Sequence, residues 1–218
     1  MKDRAMTEIF LIRHGETAWN AERRLQGHID IALNAEGERQ AAALAHALAG
    51  ESVDLIVSSD LRRAASTAQT VAERHGLPLQ TDASLRERCF GGFEGLLYDE
   101  LEGRFPVAYA QWRARDPHAR YPDGERRAET FAEFAQRAVD AVCRIAEMHR
   151  GKRIVIVSHG GVLDAVYRAA HGIDITAPRS FDVLNASINH VQWDGERLKV
   201  VRWSDSAHLA TALDELGN

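Results

Sequence analysis

Three short aliphatic runs constrain this chain most tightly: "IFLI" (9–12), "VDLIV" (53–57) and "IVIV" (154–157). A strand with one wet face alternates apolar and polar residues. A nearly unbroken, β-branched run needs cover on both faces, as in parallel sheets packed between helices. The intervening segments supply that cover. "GERQAAALAHALAG" (37–50) is rich in helix formers and closes on Gly50, read here as the C′ glycine. "LRRAASTAQTVAERHG" (61–76) stops at Gly76 with Pro78 beyond, and "GVLDAVYRAAHG" (161–172) ends on Gly172. Between them, Phe131, Phe134, Ala138, Val142 and Ile145 form an apolar stripe at helical spacing, ended by Gly151.

Near the C-terminus "INHVQW" and "RLKVVRW" flank "DGE", which predicts a β-hairpin turning on Asp194–Gly195. The expected fold class is therefore α/β: a three-layer sandwich, its sheet mostly parallel with an antiparallel edge contribution, and helices on both faces. The 218 residues suit one domain spanning 1–218. Within it, residues 97–126 are irregular and punctuated by Pro106, Pro117 and Pro122, which marks a cap or lid insertion.

Charge excludes some partners. Lys plus Arg is 27 against 32 Asp plus Glu, a net −5, so no nucleic acid partner is expected. No run approaches the ~18 apolar residues of a membrane span, and the N-terminus lacks a secretory core, so no membrane association is expected. Cys89 and Cys143 fit neither a disulfide framework nor a metal spacing, which favours a reduced, cytoplasmic setting. Met6 is read as the natural start, with residues 1 to 5 as a frayed tail.

The residues at the end of each apolar run are more informative. The first run leads into Arg13-His14-Gly15, the second into Ser58-Ser59-Asp60-Leu61-Arg62-Arg63, and the third into Ser158-His159-Gly160-Gly161. Ligands of open α/β sheets bind beyond the carboxyl ends of the strands. If these strands are neighbours, two imidazoles, guanidinium groups and a helix N-terminus converge, a combination suited to a phosphoryl group. The glycines would let backbone N–H groups and the ligand approach. One neutral imidazole can attack phosphorus; a second, protonated, can stabilise the equatorial oxygens; a carboxylic acid must protonate the departing oxygen. The other histidines, His28 among them, are read as structural. No P-loop, dinucleotide-binding glycine motif, H-E-x-x-H or phosphatase-type cysteine is present, so neither metal nor cofactor is expected.

Six stretches in order, "LIRHGETAWN", "RLQGHIDIALNAEGERQA", "SSDLRRAASTA", "LRERCFGGFEG", "YPDGER" and "IVIVSHGGVL", resemble the histidine phosphatase (phosphoglycerate mutase-like) superfamily over residues 8 to 209. The resemblance implies that His14 becomes the phosphohistidine, with Arg13, Arg63 and His159 completing the phosphate pocket. Arg63, directly before the alanine, matches the family's second arginine; Arg62 falls in its variable slot. Gly15, Thr17, Asn20, Gln26, Gly27 and Gly160 match phosphate- or substrate-contacting positions. Glu87 matches the proton donor and acceptor, whereas Glu94 falls in a structural turn. Arg86 and Arg88 are expected to point away from Glu87, and Arg24, Phe90 and Tyr98 to help wall the pocket. The pattern is closest to the family's broad-specificity phosphatases, acting on a small-molecule phosphomonoester. The alternatives are a mutase, which would use 2,3-bisphosphoglycerate and is kept open by Arg113, Arg115, Arg120, Arg126 and Arg127, and a non-catalytic phospho-ligand binder. Homodimers occur widely in the family, and a homodimer is compatible with this sequence.

Overall fold

Alternation within each apolar run decides which helices it meets. In the computed structural model, which describes residues 6 to 209, the runs become β1 (Thr7–Arg13), β2 (Leu55–Ser58) and β4 (Arg153–Ser158). Ile9, Leu11, Leu55, Val57, Ile154 and Ile156 face one side, packing on α6 (Phe131–Met148) and α7 (Gly160–His171). Phe10, Ile12, Ile56, Val155 and Val157 face the other, against α2 (Ala35–Leu48) and α3 (Arg62–His75). Both faces are dry, which is why the runs read as continuous. The proposed tail, residues 1 to 5, lies outside the described residues.

The sheet has six strands in the order β3-β2-β4-β1-β5-β6. β1 to β4 run parallel; β5 (Ile188–Trp193) pairs antiparallel with β1, and β6 (Leu198–Asp205) with β5, at one edge. The hairpin between them turns where expected: the Asp194 carboxylate accepts the N–H groups of Glu196 and Arg197, and Gly195 has φ +98°. β3 (Leu79–Thr81) has no counterpart in the sequence pattern, because three partly exposed residues leave no apolar run.

Gly76 and Gly172 end their helices in the left-handed conformation, with φ 64° and 63°. Gly50 does not. Ala49 keeps right-handed geometry at the end of α2, and the Glu51 N–H bonds the Leu48 carbonyl, so no residue there needs positive φ. The segment 97–126 is also more regular than its prolines imply. It holds a 3₁₀ turn (Tyr98–Glu100), α4 (Leu101–Arg104) and α5 (Pro106–Arg113), where Pro106 occupies a first-turn position that lacks an N–H acceptor anyway. A small third core of Leu25, Phe93, Leu101 and Tyr121 lies beneath it, with Phe93 and Tyr121 stacked at 4.4 Å.

A close backbone approach fixes where the chain goes after β1. A Cβ on Gly15 would lie 2.5 Å from the Gly37 carbonyl oxygen, and one on Gly37 would lie 2.0 Å from the Glu16 carbonyl oxygen. The first turn of α2 is thus pressed onto the Gly15–Glu16 backbone. Backbone cannot yield as a flexible side chain can, so Gly37→Ala is expected to lower stability by about 1–3 kcal/mol in denaturant unfolding. Gly50→Ala, with open space around it, should stay within about 0.5 kcal/mol of wild type.

Candidate active site

Register assembles the site. Parallel pairing sets Arg13 opposite Ser158 and Ser58 opposite Val157, with β4 in the middle. The next residues, His14, His159 and Ser59, therefore emerge side by side at the carboxyl edge. The ladder runs on into them: the His14 N–H bonds the Ser158 carbonyl at 2.9 Å and the Ser59 N–H bonds the Val157 carbonyl at 3.0 Å. The two imidazole rings meet edge to face, with centroids 5.2 Å apart.

Each ring has a fixed tautomer. His14 Nδ1 lies 2.7 Å from the Gly15 carbonyl oxygen, which can only accept. Nδ1 therefore carries the proton, and Nε2 keeps the lone pair. His159 is arranged the other way. Its Nε2 lies 2.8 Å from Ser59 Oγ, and that oxygen already accepts the Leu61 N–H. The Ser59 hydroxyl proton has no other acceptor among the described residues, so it donates to Nε2 and His159 carries its proton on Nδ1. That N–H is buried and has no protein partner. Burial, then the Arg63 and Arg13 charges, holds His14 well below the ordinary imidazole value. Burial, Arg63, His14 and Arg13 do the same to His159. Burial beside two guanidinium groups thus disfavours a third cation on either ring.

Arg13, His14, Arg63 and Glu87 line one cavity of about 810 Å³. Arg13 donates to the Val183 carbonyl, and Arg63 to those of Gly27 and Ile29, while the Nε of each lacks a protein partner. Burial lowers the Arg63 pKa to about 10, which leaves it charged at neutral pH. Arg62, its neighbour, is exposed. The Glu87 carboxylate accepts the Arg88 N–H at 2.8 Å and the Gly161 N–H, in the first turn of α7, at 3.0 Å. A Cβ at Gly161 would lie 2.2 Å from that carboxylate, so a larger residue there would displace the acid. The helix N-terminus thus orients the acid through Gly161, while Gly160 lines the cavity. Arg86 forks onto Asp60, and Arg88 bonds the Glu129 carbonyl and the Tyr121 hydroxyl, so neither guanidinium touches the Glu87 carboxylate.

Asn20, Gln26 and Gly27 also line the cavity, as do Arg24, Phe90 and Tyr98. Gly15 and Thr17 do not. The Gly15 N–H goes to Thr67 and its open face to Gly37; the Thr17 hydroxyl caps α1 (Ala18–Ala21) in a reciprocal box with Asn20. His159 is wholly buried against His14. Glu94 is structural, accepting the N–H groups of His28 and Phe90.

Several supporting residues carry no signal in the sequence. Ser59 sets the His159 tautomer. Asn185 donates to the His14 carbonyl. His28 meets the Glu87 carbonyl at 2.8 Å, and Arg137 bonds that carbonyl and the one before it, pinned in turn by Glu129. Only the position of Ser59 after a strand could have marked it; the others lie far from the motifs they serve. Cys89 and Cys143 are free thiols pushed up to about 11 by burial. Among the described residues no cluster of His, Cys, Asp or Glu could hold a metal ion, and no helix is long and apolar enough to cross a membrane.

Comparison with known proteins supplies the family. The sequence pattern of the histidine phosphatase superfamily (branch 1) matches residues 9–206. The chain belongs to the histidine phosphatase superfamily. A phosphoglycerate mutase-like protein 4 from Arabidopsis thaliana is 39% identical over 205 residues, covering 93% of this chain and 86% of that protein. A metal-independent phosphoserine phosphatase from the same plant is 39% identical over 209 residues, covering 94% and 84%. Among solved structures, a phosphoserine phosphatase from Entamoeba histolytica in complex with 3-phosphoglyceric acid superposes with a TM-score of 0.82 at 27% identity, covering 93% of this chain and 99% of that one. This histidine phosphatase has the α/β fold of its solved relatives.

Ser59→Ala should release the His159 ring: ¹⁵N–¹H correlation spectra are expected to change from one Nδ1-protonated tautomer to a mixture. Ser59→Thr, which restores a hydroxyl, should bring the single form back. A wild-type spectrum with His159 protonated on Nε2 would refute the assignment.

Proposed function

We propose that this histidine phosphatase hydrolyses small phosphomonoesters through a phosphohistidine on His14, with Glu87 as general acid and base. One observation carries the reading. A neutral His14, protonated on Nδ1 by its bond to the Gly15 carbonyl, holds an Nε2 lone pair in a cavity shared with Arg13, Arg63 and Glu87.

Those positions set the steps. His14 Nε2 attacks phosphorus as the bond to the leaving oxygen breaks, and Glu87, as the carboxylic acid, gives that oxygen its proton. Arg13 and Arg63 face the charge spread over the phosphoryl oxygens, each with an unpaired Nε–H, and the unpaired His159 Nδ1–H is a further donor. Glu87, now a carboxylate, takes a proton from water. The hydroxide attacks phosphorus, the P–N bond breaks, and His14 and protonated Glu87 are regenerated with release of inorganic phosphate. The buried guanidinium groups keep their charge at a desolvation cost that an anionic substrate offsets. Gly15 and Thr17 support this site from outside the cavity, and Asn20, Gln26, Gly27 and Gly160 are its proposed substrate contacts. Residues 97–126 act as its cap.

The mutase reading requires a captive second phosphoglycerate. Of the five arginines that kept it open, Arg115 alone lines the cavity, and its guanidinium is bonded to the Ile175 carbonyl. That favours water as acceptor.

Phosphate release from p-nitrophenyl phosphate, with no interconversion of 2- and 3-phosphoglycerate, is the expected result. His14→Ala should lower turnover by on the order of 10³ or more and abolish acid-labile phosphate labelling; full labelling in that variant refutes the intermediate. Arg63→Ala should lower kcat/KM by roughly 10²–10³-fold. Arg62→Ala should stay within about twofold of wild type, and the reverse order would show the clamp is misassigned.

A further inference from the structure

The cavity is cationic although the chain carries a net charge of −5. Seven arginines border it: Arg13, Arg23, Arg24, Arg63, Arg88, Arg115 and Arg179. Five have guanidinium groups bonded to backbone carbonyls, those of Val183, Gly95, Gly27, Glu129 and Ile175. Arg23 and Arg179 differ. Among the described residues the side chain of neither makes a hydrogen bond or an ion pair, and both are exposed at the rim. None of the cavity's carboxylates is bonded to either: Glu16 accepts from Asn34, Asp116 from the His118 N–H, Asp164 from Arg168, and Glu87 from two backbone N–H groups.

Arg23 is also held in place at a cost. It is a non-glycine residue with φ +58°, in the left-handed region, and its carbonyl accepts the Tyr98 N–H at the start of the cap. Retained strain of this kind fixes where the side chain leaves the backbone. Arg23 and Arg179 line the same cavity as Tyr98, Arg13 and Glu87.

We propose that Arg23 and Arg179 form a second-anion subsite, which selects phosphomonoesters whose leaving group carries a carboxylate or a further phosphate. This rests on the phosphatase reading of the inner site. Arg13 and Arg63 serve the reacting phosphoryl group, whereas the rim pair offers free guanidinium forks suited to a planar carboxylate or a phosphate. Unpaired cations at the mouth also concentrate anions there.

The experiment compares wild type with Arg23→Gln, Arg179→Gln and the double variant on substrates differing only in the second anion. O-phosphoserine is set against O-phosphoethanolamine, and fructose 1,6-bisphosphate against fructose 6-phosphate. In the double variant the kcat/KM ratio within at least one pair should fall about tenfold or more, chiefly through KM; the pair that responds identifies carboxylate or phosphate. Unchanged ratios in both pairs overturn the subsite. Calorimetry needs no turnover: wild type should bind 2-amino-4-phosphonobutyrate more tightly than 3-aminopropylphosphonate if the carboxylate is read, and fructose 1,6-bisphosphate more tightly than fructose 6-phosphate if the second phosphate is. The double variant should lose the preference. A wild type that turns over nothing defeats the phosphatase reading alone, and the subsite then stands or falls on these affinities; absence of both preferences in wild type overturns it.

Discussion

The parallel pairing of β1 with β4 carries the whole site. It sets Arg13 level with Ser158, so the next residue on each strand is a histidine at the same height, and the rings meet at 5.2 Å. A slip of β1 by one residue would turn its imidazole to the other side of the sheet, away from His159, and exchange that strand's two apolar faces. The register is held because Ile9, Leu11, Ile154 and Ile156 serve one core and Phe10, Ile12, Val155 and Val157 the other. Packing and site geometry are thus one constraint, and the residues that fill the core also aim the chemistry.

Given that register, short-range hydrogen bonds divide the labour between two like side chains. A carbonyl beside His14 leaves it a free lone pair, and a hydroxyl beside His159 leaves it a free N–H. Burial next to two guanidinium groups disfavours charge on both rings. Charge is instead carried by Arg13 and Arg63, whose guanidinium groups rest on backbone carbonyls. Glu87 is fixed by two N–H groups, and its carbonyl side by His28 and Arg137. Fixed dipoles of this kind need little rearrangement as charge moves during the reaction.

Much of the fold was legible before any coordinates. The β-branched runs, the glycines at 76 and 172 and the Asp194–Gly195 turn are local signals, each complete within a few residues. The errors are equally local in origin. Gly50 resembled a helix terminator, but the chain turned there without needing positive φ. Pro106 resembled a breaker, yet it opens α5. β3 is too short and too exposed for a pattern. In the site, Gly15 and Thr17 come so soon after the nucleophile that contact with a ligand was a natural inference. Their polar groups are instead used by Thr67 and Asn20, and the missing Cβ of Gly15 makes room for Gly37, a residue whose nearness no sequence spacing reveals.

The sequence by itself determined the composition of the strands, the residues standing at their ends and the family to which the pattern belongs, because these depend on periodicity and on motifs contiguous in the chain. Tertiary structure alone decided the strand order that makes 14 and 159 neighbours, the tautomer of each ring, and which arginines are tied to carbonyls and which are left free. Those outcomes depend on hydrogen-bond partners as much as 170 residues apart, as Arg13 and Val183 are, and a partner chosen by folding leaves no mark in the residues beside it.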